Sequence, residues 1–100
     1  MVVGSNADIG EYTLINRGAL IGHDVLIKKC CTIGPGANIA GDVEVGEGAL
    51  VAQGAIIREQ VKIGNHAVVG AGALVLEDVG DNDMVTGVPA RVVRSGVDGH

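Results

Sequence analysis

From Val3 to Val75 every sixth residue is isoleucine or valine: Val3, Ile9, Ile15, Ile21, Ile27, Ile33, Ile39, Val45, Val51, Ile57, Ile63, Val69 and Val75. Ile and Val together fill only a quarter of the chain, so chance placement would break this series many times over. A repeat of fixed period constrains the fold more than local propensity does, because each repeat must bury its apolar side against its neighbours. Six residues fit neither the 3.6-residue turn of a helix nor the alternation of a long strand. They fit a chain wound into a prism, in which each hexad lays down one short strand and turns one corner. Three hexads then close a triangular coil, and successive coils stack as parallel strands about 4.8 Å apart.

The other hexad positions agree. Four residues after each Ile or Val comes a second inward position: Ala7, Thr13, Ala19, Val25, Cys31, Ala37, Val43, Ala49, Ala55, Val61, Ala67, Ala73 and Val79. All are small or β-branched, as a narrow interior requires. Corners fall two and three residues after the Ile or Val, where Gly18, Gly36, Gly48, Gly54 and Gly72 permit backbone angles other residues resist. The expected fold class is all-β: a single parallel β-helix of hexapeptide repeats over residues 1–80, with a short cap and tail over 81–100.

Composition narrows the setting. The chain has 100 residues, 47% of them hydrophobic, yet Tyr12 is its only aromatic residue, so stacked small side chains replace an aromatic core. A net charge of −5 argues against broad binding to nucleic acid or anionic membranes. No apolar run is long enough to span a bilayer, and no signal-peptide pattern follows Met1. Cys30 and Cys31 are adjacent, one at a corner and one inward, which disfavours a disulfide between them. A buried, inert thiol in a cytoplasmic protein is the expectation.

The residues just before each Ile or Val point outward and sort into three faces. Asp8, Leu26, Glu44 and Lys62 form a mostly charged face. Leu14, Thr32, Leu50 and Val68 form a second, and Leu20, Asn38, Ile56 and Leu74 a third. Two apolar faces exceed what a soluble monomer tolerates. Three prisms around a threefold axis would bury two faces each and leave the third wet, so a homotrimer is expected. The alternative is that a further domain covers these faces.

Of the three histidines, His100 is terminal and His66 sits in an ordinary turn, Gly64-Asn65-His66-Ala67. His23 lies at a corner in Gly22-His23-Asp24, and Gly41 follows one coil further along the same edge. A base beside a side-chain-free amide is the minimum equipment for acyl transfer. Spacing alone leaves His23 equally open to a plain turn role.

The segments Leu20-Ile21-Gly22-His23-Asp24, Ile33-Gly34-Pro35-Gly36-Ala37 and Ala40-Gly41-Asp42-Val43 resemble the hexapeptide-repeat acetyltransferases, within them the sialic acid O-acetyltransferases and the N-acetyltransferases acting on UDP-linked 4-amino sugars. The resemblance implies a left-handed coil, whereas parallel crossovers are ordinarily right-handed. It also implies a homotrimer, acetyl-CoA as co-substrate and a sugar or sugar-nucleotide acceptor, amine or hydroxyl. By motif position, His23 is the general base, Asp24 its supporting carboxylate and Gly41 the oxyanion amide. No covalent intermediate and no metal are implied. The family often carries a second histidine nine residues after the first; here that position is Thr32, which donates one hydrogen bond but carries no charge.

For the cofactor the resemblance points to Gln53 and to Gly70-Ala71-Gly72, although tight corners alone also explain the glycines. Gly87-Val88-Pro89-Ala90-Arg91 is similar to a segment that lies near CoA in this family. Arg91 and Arg94 suit phosphate contacts or a plain solvated cap. Relatives in this subgroup carry an N-terminal α/β domain for the sugar nucleotide, and the expectation is that this chain lacks it. A γ-type carbonic anhydrase would need three metal-binding histidines at suitable corners, which His23 does not have. A non-catalytic trimerisation module or scaffold remains the competing class.

Overall fold

A computed structural model describes residues 2–98. Thirteen two-residue strands, from β1 (Val2–Val3) to β13 (Leu74–Val75), recur every six residues, followed by β14 (Asp83–Thr86) and β15 (Arg91–Ser95). Val2, Leu20, Asn38, Ile56 and Leu74 open successive strands of one parallel sheet. Asp8, Leu26, Glu44 and Lys62 do so in the second, and Leu14, Thr32, Leu50 and Val68 in the third. The register is eighteen residues per coil, and the three faces are those the period defines. The molecule is a left-handed parallel β-helix.

Backbone hydrogen bonds run from each coil to the next. Leu20 N–H donates to the Ala37 carbonyl at 2.8 Å, and Gly22 N–H to that of Ile39 at 2.7 Å. The two inward positions fill the interior. Ile27, Ile33, Ile39 and Ile57 are fully buried, as are Ala37, Ala49, Ala55 and Ala67 between them. No polar or charged side chain is buried among the described residues. The first coil is looser: Ala7, Ile9 and Ile15 are only partly buried, and among the described residues no earlier coil covers them.

Each hexad corner from Ser5-Asn6 to Ala71-Gly72 places its second residue in the left-handed region, and the corners stack into three edges. On one edge these residues are Asn6, Asp24, Asp42 and Gln60, with φ between 56° and 66°. On the next they are Tyr12, Cys30, Gly48 and His66. On the third all four are glycine: Gly18, Gly36, Gly54 and Gly72, with φ between 68° and 74°. Asn and Asp tolerate this region better than other side chains, and Gly pays no steric cost there.

The eighteen-residue ruler ends after Val75. Val79 is inward and nearly buried, but it bridges to Ile63, sixteen residues back. Asp78 Oδ1 accepts a hydrogen bond from Lys62 N–H at 2.9 Å, which draws this shortened corner inward. Residues Asp83–Thr86, within the expected cap, rejoin the sheet. Strand β14 pairs parallel with Val68–Val69, and Val85 is buried against the core. Strand β15 then folds back antiparallel on β14, with a bulge at Met84/Val85. An apolar cleft of about 270 Å³ remains between the last coil and this hairpin, lined by Val75, Val79, Val85 and Val92 among others.

Both cysteines are free. Cys31 is buried with its thiol 3.0 Å from the Gly46 carbonyl oxygen. Burial pushes its pKa above the ordinary thiol value, outweighing the backbone hydrogen bonds of Ala49 and Gly48 that act the other way.

Candidate functional site

His23 and Gly41 sit where eighteen-residue spacing puts them, on one edge in consecutive coils. Asp42 N–H donates to the His23 carbonyl at 3.0 Å, and Asp24 N–H to that of Ser5 at 2.9 Å, so three corners are laced together. The His23 ring extends along the edge over the Gly41 Cα. A Cβ at position 41 would come within 2.7 Å of Nε2 and 2.8 Å of Cε1. Gly41 does not have positive φ. Its lack of a side chain therefore serves the imidazole, not the turn.

Gly22 supports the same arrangement from below, since a Cβ there would lie 2.7 Å from the Gly41 amide nitrogen. Among the described residues, Gly41 N–H donates to no backbone carbonyl. An uncommitted amide next to an imidazole is the pairing that stabilises a developing oxyanion beside a base.

His23 Nδ1 lies 3.2 Å from Asp24 Oδ2, and both side chains are well exposed. With Nδ1–H donating to Asp24, the lone pair falls on Nε2, the nitrogen above Gly41. Asp42 joins this group: one donor atom from each of His23, Asp24 and Asp42 lies within 4.8 Å of the others. The sequence motif Ala40-Gly41-Asp42-Val43 assigns Asp42 no role of its own. The signal was present, because Asp42 follows Asp24 by eighteen residues. Three exposed donors fall short of the closed four-ligand set of a structural metal site.

Of the expected cofactor residues, Gln53, Ala71 and Gly72 gather on the glycine edge. Gln53, Gly54, Ala71 and Gly72 line an open groove with Pro35 and Gly36. Gly54 N–H donates to the Pro35 carbonyl and Gly72 N–H to that of Gln53, both at 3.0 Å, which keeps the groove floor regular. Gly70 lies elsewhere. It is buried, and a Cβ there would meet Thr86 Cγ2 at 2.7 Å, so it seats β14 instead of lining the groove. Thr32 is half-buried in its sheet between Leu14 and Leu50. Arg91 borders the cleft at the prism end, exposed, with Nη1 donating to the Ala90 carbonyl at 3.0 Å. One chain thus keeps His23–Gly41 and Gln53–Ala71 on different edges, with the Leu20–Asn38–Ile56–Leu74 face between them.

The remaining histidines stand apart. His66 is half-buried, its Nδ1 3.1 Å from Asp98 Oδ1 but angled badly for a hydrogen bond, so the contact is a charge pairing available to the protonated ring. His100 lies outside the described residues.

The prism thus carries an imidazole over a bare glycine on one edge and a glycine groove on another. The profile of the bacterial transferase hexapeptide family (six repeats) matches residues 24–59 and 42–77, more than half of the chain. This chain belongs to that family. No curated protein sequence matches it.

Among solved structures, it is similar to a histidine-substituted perosamine N-acetyltransferase from Caulobacter crescentus in complex with CoA and GDP-perosamine. The identity there is 35% and the TM-score 0.91, over 93% of this chain and 44% of that one. The acetyltransferase domain of PglB from Neisseria gonorrhoeae, in complex with acetyl coenzyme A, is 31% identical with a TM-score of 0.90, over 91% of this chain and 44% of that one. Serine acetyltransferase from the same organism is 26% identical with a TM-score of 0.87, over 92% of this chain and 40% of that one. The chain spans less than half the length of these relatives.

Proposed function

We propose that the protein is an acetyl-CoA-dependent acetyltransferase that acts on an amino or hydroxyl group of a sugar or sugar nucleotide. The observation that carries this reading is the His23 ring lying over the bare Gly41 backbone, with Asp24 on its other nitrogen. Two of the similar structures hold CoA or acetyl-CoA, and one also holds a sugar nucleotide, which supports the donor and the acceptor class.

In the proposed reaction the acceptor N–H or O–H gives its proton to His23 Nε2 while its heteroatom attacks the thioester carbonyl. The oxyanion forms opposite the Gly41 amide, and one such donor is worth about 3 kcal/mol of barrier. The C–S bond then breaks, and the imidazolium returns the proton to the leaving thiolate. Asp24 holds the ring orientation throughout. Thr32 contributes at most a neutral hydrogen bond near the acetyl group.

The pantetheine arm lies in the glycine groove along Gln53, Ala71 and Gly72, and Arg91 meets the phosphates. Since base and groove occupy different edges, the complete site combines His23 of one copy with the groove of another. A homotrimer meets this need: Leu14, Leu20 and Ile56 are 65%, 45% and 47% exposed on the two apolar faces. Free cysteines and acetyl-CoA dependence fit a cytoplasmic setting.

A thermal-shift titration with acetyl-CoA tests the assignment. Saturation at a hundred times the dissociation constant adds about 2.7 kcal/mol to the folded state, and the unfolding midpoint rises. A trimer whose midpoint ignores acetyl-CoA is a scaffold instead.

A further inference from the structure

We propose that Asp42 is a second positioning carboxylate for His23, so that the imidazolium formed on proton uptake is held between acids from two consecutive coils. This rests on the reading of His23 as the general base. Among the described non-glycine residues with positive φ, Asp occurs at two positions only, 24 and 42, and these are stacked on one edge. The corresponding residues before and after them, Asn6 and Gln60, are neutral. On the neighbouring edge the series is Tyr12, Cys30, Gly48 and His66, and on the third it is all glycine. The left-handed corner therefore does not demand an acid; Asn or Gly would serve it equally.

Two carboxylates whose oxygens lie within 4.8 Å repel each other unless a cation stands beside them. The group that can become that cation is the His23 ring, also within 4.8 Å of both. The ring reaches the Asp42 corner because Gly41 leaves the space above its Cα free. The Asp42 N–H to His23 carbonyl hydrogen bond at 3.0 Å fixes the two corners relative to each other.

The other groups facing this edge are few. Ser5, on the preceding coil, is uncharged. Arg58 and Glu59 enter the corner after Asp42 and offset one another in sign. The strands flanking the His23 corner present Leu20 and Leu26, and those flanking the Asp42 corner present Asn38 and Glu44. Asp24 and Asp42 are the two carboxylates grouped with the imidazole within 4.8 Å.

Asp42→Asn is a clean probe, since Asn is at home at φ 60° and only the charge is lost. The His23 ring is titrated by NMR in the wild type, Asp42→Asn, Asp42→Glu and Asp24→Asn, with its signals assigned by their loss in His23→Ala. With one negative charge fewer within 4.8 Å of the ring, the imidazolium is less favoured, and the His23 titration is expected to shift toward lower pH in Asp42→Asn. Asp42→Glu restores at least part of the shift, and acetyl transfer at neutral pH falls about threefold in Asp42→Asn. Superimposable wild-type and Asp42→Asn titrations overturn the proposal, whatever the activity does. Full activity in His23→Ala sinks the catalytic reading instead, and the titration then still decides whether the two carboxylates share the ring.

Discussion

Two edges of the same prism share one backbone conformation and differ in almost everything else. On the glycine edge, Gly18, Gly36, Gly54 and Gly72 take up the left-handed corner with no side chain at all, leaving a smooth trough along the axis. On the histidine edge, the same corners carry Asn6, Asp24, Asp42 and Gln60, and His23 lies along them. The repeat supplies the scaffold to both, and the side chains alone leave one an open glycine trough and set an imidazole and two carboxylates along the other. The two also use glycine differently. Gly72 is needed for its φ of +68°, with nothing within 4 Å of a built Cβ, whereas Gly41 is needed for the space the imidazole occupies.

The sharpest way to break the contrast is to empty the histidine edge. His23→Ala removes the proposed base and is expected to lower kcat by about 10²–10⁴-fold. Its unfolding midpoint and oligomeric state stay unchanged, because the side chain is exposed and contributes nothing to the core. Steady-state kinetics beside size-exclusion chromatography checks both halves of that expectation.

Next comes Gly41→Ala. The new methyl lands on the ring, which swings into solvent, and a displacement of this order costs about a hundredfold in rate. Stability hardly changes, since the ring is free to move away. On the other edge the signs reverse. Gly54→Ala or Gly72→Ala meets no crowding, but the left-handed backbone strains any Cβ by about 1 kcal/mol. Urea midpoints fall accordingly, and acetyl-CoA binding weakens while the turnover of bound substrate is spared. The smallest effect belongs to Arg91→Ala: an exposed charge pair is worth up to about 1 kcal/mol, so acetyl-CoA affinity drops no more than about fivefold and less at high salt.

The period made most of this legible before any coordinates. Counting in sixes separates the buried Ile and Val from the exposed Leu14, Leu20 and Ile56, and counting in eighteens puts His23 beside Gly41 and Gln53 beside Ala71. The ruler also contained Asp42, eighteen residues after Asp24. Asp is common at left-handed corners, however, so its type did not distinguish a partner for the imidazole from a turn former. Gly70 failed for a different reason. It belongs to the position just after the inward Val69, and whether that position is open depends on β14 crossing above it, which no repeat encodes. The same holds for the prism end. Once the last coil shortens to sixteen residues, the hairpin of β14 and β15 is set by cross-strand pairing and by the Asp78 contact to Lys62.

A crystal structure with CoA bound tests the central claim, that two unlike edges meet to form one site. The pantetheine arm is expected in the glycine groove at Gln53, Gly54 and Gly72 of one copy, with its thiol against His23 Nε2 and the Gly41 amide of the next. CoA ordered away from His23, or no CoA bound at millimolar concentration, would contradict it.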